Sequence, residues 1–82
     1  MGLSMSALDD LTRKLGLLQT ASKESARKWV QRTRALEKQG KTWDQAAMTA
    51  ATEVFQAEFK PSRYRREGIS IEALLDAIEK LV

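Results

Sequence analysis

The sequence contains no cysteine and no histidine among its 82 residues. The absence of cysteine excludes disulfides, thiolate nucleophiles and cysteine-ligated metal sites. The absence of histidine removes the commonest general base near neutral pH and the commonest zinc ligand. Carboxylates, hydroxyls, lysines and one phenol remain, and no motif arranges them at a catalytic or metal-binding spacing. We therefore predict that the protein is not an enzyme and has no catalytic residue, cofactor or metal ion.

Long apolar runs are absent as well. No stretch approaches the roughly 18 apolar residues of a transmembrane helix, and no basic region followed by an apolar one opens the sequence. Together with the lack of cysteine, these absences predict a cytoplasmic protein with no membrane partner. Apolar residues make up 43% of the chain and charged residues 30%, a balance typical of a globular protein.

Proline is equally scarce, because Pro61 is the only one in the sequence. Apolar residues recur at spacings of three and four, and no segment alternates with the period of two that indicates a strand. We predict an all-α fold, a small antiparallel bundle of four helices with no sheet, forming a single domain over residues 1–82. Residues 1–5 are expected to be disordered or an added leader. The predicted helices span about 6–19, 22–39, 42–59 and 70–82.

The predicted helices have recognisable starts and inner faces. Ser22, Thr42 and Ser70 are residue types that cap helix N-termini, and Pro61 is expected to end the third helix. Leucines at positions 8, 11, 15 and 18 form the inner stripe of the first helix, which includes Gly16. The inner face of the second helix is predicted to comprise Ala26, Trp29, Val30, Thr33 and Leu36.

Positive charge is concentrated in two parts of the chain. Residues 23–41 carry seven bases and two acids, and residues 60–67 carry four bases and one acid. On the second helix, four bases fall within a sector of about 60° that extends about 22 Å along the axis. Such a row could follow a phosphate backbone, because lysine and arginine neutralise phosphates and release counterions. The alternative is a solvated face paired with acids of the fourth helix. The four bases are Lys23, Arg27, Arg34 and Lys38.

The 60–67 segment interrupts the helical pattern and combines arginines with the only tyrosine. Guanidinium groups and aromatic rings grip single-stranded nucleic acid through phosphate contact and base stacking. The alternative is a connection in which Tyr64 folds back on the core and its hydroxyl finds a partner. The residues that would contact nucleic acid here are Arg63, Tyr64, Arg65 and Arg66.

A short turn containing Gly40 joins the second and third predicted helices, which also permits a helix-turn-helix. The third helix is net acidic and begins with Asp44, so it suits base recognition poorly. This alternative is therefore the weaker one for nucleic-acid binding.

The supply of apolar side chains favours association with another protein. Four amphipathic helices in so short a chain offer more apolar surface than a small core requires. We predict a non-enzymatic helical interaction protein that forms a homo-oligomer or docks to a helical protein partner. The alternative is a small nucleic-acid-binding protein that uses the basic face of the second helix together with the 60–67 segment. The predicted apolar interface comprises Trp43, Phe55, Phe59, Leu81 and Val82.

Overall fold

A computed structural model of the chain describes residues 6–81. Over this range the fold contains four α-helices and two short 3₁₀ turns, and no strand occurs. The all-α, four-helix prediction is confirmed, although the first and third helices end earlier than predicted. The α-helices are α1 (Ser6–Leu15), α2 (Lys23–Lys38), α3 (Trp43–Phe55) and α4 (Ile71–Leu81), and the 3₁₀ turns are Gln56–Glu58 and Pro61–Arg63.

Side-chain caps begin three of the helices at the predicted positions. The hydroxyl oxygens of Ser22, Thr42 and Ser70 accept hydrogen bonds from backbone N–H groups three residues on, at 3.1, 3.2 and 3.2 Å. A helix N-terminus leaves these N–H groups without partners inside the helix, so each cap stabilises the start of its helix.

The first helix ends at Leu15, immediately before Gly16, rather than at residue 19. Gly16 has a φ of +68°, which glycine adopts without the steric penalty of a Cβ atom. The leucine spacing predicted a longer helix because Leu18 continues it. In the structure Leu18 lies beyond the helix and is 75% exposed, so it is not part of the inner stripe.

The third helix ends at Phe55, before Pro61 is reached. Gln56 has a φ of +52°, and its N–H still donates to the carbonyl of Thr52. The chain then turns so that Phe59 returns to the core, where it is 5% exposed. Pro61 begins the second 3₁₀ turn instead of ending α3, which corrects the predicted boundary at residue 59.

The core forms where α2 packs against its neighbours. The start of α2 and the end of α3 line one groove, so these two helices are antiparallel, and α4 packs on both α1 and α2. The fully buried Trp29 donates its indole N–H to the carbonyl of Ala47 at 3.1 Å. The buried residues of α2 are the predicted Ala26, Trp29, Val30, Thr33 and Leu36. With that face in the core, the opposite face of α2 is turned to solvent.

Candidate nucleic-acid interface

The solvent face of α2 carries four exposed bases along the length of the helix. Glu24 is the exposed acid among them, and Gln31 lies in the middle of the face. Within residues 6–81, no carboxylate lies within 4.0 Å of any of the four basic groups. We call this surface the α2 basic face, and it comprises Lys23, Arg27, Lys28 and Lys38.

The arginine on the α3 side of α2 is paired. Arg32 donates from Nε to Oε1 of Glu53 at 2.7 Å and from Nη2 to Oε2 of the same carboxylate at 3.3 Å. This two-point contact places the Arg32 charge at the boundary between α2 and α3, and the guanidinium is engaged with α3 rather than free on the α2 basic face.

The arginine on the α4 side is paired more extensively. Arg34 donates from Nε to Oε2 of Glu79 at 2.7 Å and from Nη2 to Oε1 of Glu79 at 2.9 Å. The same Nη2 also reaches Oδ1 of Asp76 at 3.3 Å. The hydrogen bond with Arg34 lowers the pKa of the Glu79 carboxyl, and the same bond raises the pKa of Arg34. Glu79 therefore occupies the edge of the guanidinium formed by Nε and Nη2, which could otherwise bind an external anion, and Asp76 shares Nη2.

The predicted row on α2 is thus only partly available. Lys23, Arg27 and Lys38 are exposed, whereas Arg34 is engaged by α4. Lys28 falls outside the 60° sector that the spacing defines, yet it lines a shallow groove together with Glu24, Arg27 and Gln31. The predicted row excludes Lys28 because helical spacing places this residue about 140° from Lys23, away from the four bases of the row. The whole polar face of α2, taken as all positions outside its buried stripe, does include Lys28.

The 60–67 segment is docked against α1 through Lys14. Arg65 donates its backbone N–H to the carbonyl of Lys14 at 2.9 Å. In return, Nζ of Lys14 donates to the carbonyls of Arg66 and Glu67 at 3.1 and 3.2 Å. Lys14 is only 4% exposed, and its Nζ lies 5.6 Å from the centre of the Tyr64 ring. The sequence analysis did not identify Lys14, although it borders the leucine stripe.

A close backbone approach fixes the same segment at Gly16. Nη1 of Arg63 donates to the carbonyl of Gly16 at 3.3 Å. A Cβ atom built on Gly16 would lie 2.5 Å from Cβ of Arg63 and 2.8 Å from its carbonyl oxygen. Only glycine leaves room for this approach, so α1 ends where the 60–67 segment crosses it.

Asp44 at the start of α3 holds the other side of the segment. The Tyr64 hydroxyl donates to Oδ1 of Asp44, and Nη1 of Arg66 contacts Oδ2 of Asp44 at 3.4 Å. Burial and the hydrogen bond to Asp44 raise the pKa of the Tyr64 phenol. Tyr64 therefore folds back on the protein, and its ring and hydroxyl are both engaged.

Most of the predicted nucleic-acid contacts in this segment have internal partners. Arg63, Tyr64 and Arg66 bond to α1 or α3, while the exposed Arg65 guanidinium has no carboxylate within 4.0 Å in the described range. An open groove of about 850 Å³ separates the end of α1 from the segment. Its charged lining is mixed, with Asp9, Arg13, Arg63, Arg65 and Glu67. Its excess of positive charge is therefore smaller than that of the α2 basic face, where four bases lie beside one exposed acid, Glu24.

The predicted apolar interface lies largely in the core of the chain itself. Phe55 and Phe59 are 9% and 5% exposed, and Trp43 and Leu81 are partly buried against the same cluster. Val82 lies outside the described residues. Among residues 7–81, Leu18 is the exposed large apolar side chain.

No group of three or more acidic side chains in residues 6–81 is arranged to hold a metal ion, and no helix in that range is long and apolar enough to cross a membrane. Comparison of the chain with protein-family models, with curated proteins and with solved structures finds no match.

Proposed function

We propose that this chain is a non-enzymatic nucleic-acid-binding protein that contacts phosphates through the α2 basic face. One contrast carries the proposal. Arg32 and Arg34, at the sides of α2, each have a carboxylate partner on a neighbouring helix, whereas the four bases of the α2 basic face have none within 4.0 Å among residues 6–81. Lys23 and Arg27 are four residues apart, and like charges at this spacing destabilise a helix slightly. An external polyanion would relieve that repulsion.

The dimensions of the face suit one phosphate backbone. Lys23 and Lys38 are separated by about 22 Å along the helix axis. Phosphates of one strand of duplex DNA follow one another about every 3.4 Å along the axis, so the face spans roughly six of them. Three or four lysine and arginine groups on this length can each neutralise one phosphate. Contacts of this kind position a protein without reading sequence, so we expect binding with little base preference.

We assign the 60–67 segment a structural role in this proposal. Tyr64 and Arg63 hold the segment against α3 and the end of α1, and Arg66, whose side chain is 70% exposed, makes a single contact of 3.4 Å with Asp44. Arg65 remains exposed and adds positive charge near the end of α1. We therefore expect the segment to contribute to the long-range electrostatic attraction of a polyanion, while the α2 basic face makes the direct phosphate contacts.

The direct test replaces three members of the face by glutamine: Lys23→Gln, Arg27→Gln and Lys38→Gln together. Titration of a labelled duplex oligonucleotide should show affinity lowered about tenfold or more at low salt. The slope of log K against log salt should become shallower by about two to three, because each lost phosphate contact removes about 0.9 from it. Circular dichroism should show the same helix content, since all three side chains are exposed.

A matched variant separates a local face from net charge alone. Lys60→Gln, Arg65→Gln and Lys80→Gln together remove the same charge from exposed positions outside α2 that lack carboxylate partners. We expect this variant to retain most of the wild-type affinity. Equal loss in the two triple variants would contradict a binding surface on α2.

Association with a protein partner is the second candidate, and Leu18 is the observation that favours it. This leucine is 75% exposed in the connection between α1 and α2, whereas the other large apolar residues of the described range are buried or partly buried. Light scattering of the wild type would give a multiple of the 9.2 kDa chain mass if copies associate. Leu18→Ser should then return the mass to one chain, and a monomeric wild type would remove self-association.

A further inference from the structure

We infer that the carboxylates of Asp76 and Glu79 on α4 compete with nucleic-acid phosphates for Arg34, and so limit the affinity of the α2 basic face. The inference rests on the proposed function and concerns the regulation of the same surface. It assigns α4 a role that packing does not require, because both acids are on the solvent side of that helix.

By its position on α2, Arg34 belongs to the predicted row of bases, but its guanidinium is bonded to carboxylates of α4. It follows Arg27 by seven residues and precedes Lys38 by four, so the three side chains leave α2 within about 40° of one another. The gap between Arg27 and Lys38 is about 16 Å along the axis, and Arg34 is the base that would fill it. With Arg34 engaged by α4, the row is interrupted near its centre.

The contact itself resembles the contact that a phosphate would make. Arg34 uses Nε and Nη2 on the two oxygens of Glu79, at 2.7 and 2.9 Å. Arginine binds carboxylate and phosphate with the same planar, two-point geometry. The Glu79 carboxylate therefore occupies the edge of the guanidinium that a phosphate would use, and Asp76 adds a second negative charge at 3.3 Å.

The pair is also accessible enough to exchange. The side chains of Arg34, Asp76 and Glu79 are 36%, 63% and 45% exposed. Exposed ion pairs contribute little to stability and are screened by salt, so a phosphate strand with several further contacts can displace one. The pair between Arg32 and Glu53 is similar in chemistry but lies away from the row. Of these two ion pairs, we therefore expect only the Arg34 pair to compete with phosphate binding on the α2 basic face.

The test is the double variant Asp76→Asn, Glu79→Gln, which keeps side-chain size and removes the negative charge. Freed from its partners, Arg34 should add one phosphate contact. Duplex oligonucleotide affinity at low salt should rise about fivefold to tenfold, and the salt slope should steepen by about one. Glu79→Gln alone should give an intermediate gain. This single variant serves as the test if the double variant does not fold.

The matched control is the double variant Glu58→Gln, Glu72→Gln. Both glutamates are exposed, and neither has a basic partner within 4.0 Å in the described range. It changes net charge by the same amount, so any general electrostatic gain appears there with an unchanged salt slope. Adding Arg34→Gln to the Asp76, Glu79 variant should abolish the extra gain. A gain no larger than that of the control, or one that survives Arg34→Gln, would overturn the inference.

Failure of the inference is distinguishable from failure of the proposed function. If the wild type binds and the double variant matches the control, phosphate binding by the α2 basic face is still supported, but the inferred competition for Arg34 is wrong. If neither the wild type nor the double variant binds at low salt, both proposals are wrong.

Discussion

At the scale of single residues, Gly16 allows two parts of the chain to meet that are far apart in sequence. Its positive φ ends α1, and its lack of a side chain admits Arg63 from the 60–67 segment. Lys14, two residues earlier, holds the same segment through two carbonyl groups. The rigidity of the junction therefore depends on one missing Cβ atom and one buried ammonium group.

Gly16→Ala should lower the free energy of unfolding by about 2–5 kcal/mol. An alanine in the left-handed region costs about 1–2 kcal/mol, and its Cβ would overlap Arg63 and force the segment outward at a further cost of about 1–3 kcal/mol. Urea denaturation monitored by circular dichroism measures the change.

Gly40→Ala is the control for backbone strain alone. Gly40 also has a positive φ, +105°, but nothing lies within 4 Å of a Cβ built on it. We expect Gly16→Ala to cost more than Gly40→Ala. Equal losses would mean that the approach of Arg63 contributes nothing.

Tyr64 provides a pH-dependent test of the same junction. Burial and the hydrogen bond to Asp44 raise its pKa, so the folded protein favours the protonated phenol. The resulting stabilisation is complete below the ordinary tyrosine pKa of about 10 and is lost as pH rises above it. Because the chain has one tyrosine, ultraviolet titration reports this group directly. The midpoint should lie above about 10 in the folded protein and fall to the ordinary value in urea.

Tyr64→Phe should remove this part of the alkaline loss of stability. A comparison of the two proteins between neutral pH and pH values above about 10 isolates the phenol, because every other ionisable group is the same in both. An ordinary pKa in the folded wild type would show that Tyr64 is neither buried nor bonded to Asp44.

At the scale of elements, helix faces follow from the sequence more closely than helix ends do. The five buried residues of α2 are those that its periodicity predicts, because the amphipathic pattern directly determines which face is buried. The predicted ends of α1 and α3 both lie four residues beyond the ends in the structure, Leu15 and Phe55. Gly16 and Gln56 adopt positive φ angles that depend on how the next segment packs, and the spacing of apolar residues carries no information about that.

Gln56→Gly should raise the free energy of unfolding by about 0.5–1 kcal/mol. Glutamine at a φ of +52° is strained, whereas glycine adopts such an angle without strain. Glycine also increases the conformational entropy of the unfolded chain, which offsets part of the stabilisation. Thermal denaturation of the variant measures the gain.

Gln39→Gly is the matched control, because the C-cap of α2 has an ordinary φ of −82°. Glycine there should lower stability instead, through unfolded-state entropy. Destabilisation by both substitutions would contradict strain at Gln56.

The candidate site was predictable in part for the same reason. Helical spacing correctly brought Lys23, Arg27 and Lys38 to one solvent face. It could not show that Arg34 would be engaged, because its partners Asp76 and Glu79 lie 42 and 45 residues further along the chain. That pairing depends on how α4 packs against α2, which the periodicity of either helix alone does not specify.

At the scale of the whole molecule, the distribution of charge is more informative than the net charge of +3. Residues 23–41 sum to +5, and acids of α3 and α4 neutralise α2 only along its two sides. The body is elongated, 38 Å by 24 Å by 23 Å, and the large apolar residues of the described range other than Leu18 form one internal cluster. Within residues 6–81, the outward face of α2 is therefore a charged surface whose four bases have no carboxylate within 4.0 Å.

The salt dependence of duplex oligonucleotide binding by the wild-type protein tests this account most directly. Three or four phosphate contacts on the α2 basic face predict measurable affinity at low salt and a slope of log K against log salt of about −3. Affinity that is absent at low salt, or that does not fall as salt rises, would contradict the assignment of α2 as a phosphate-binding surface.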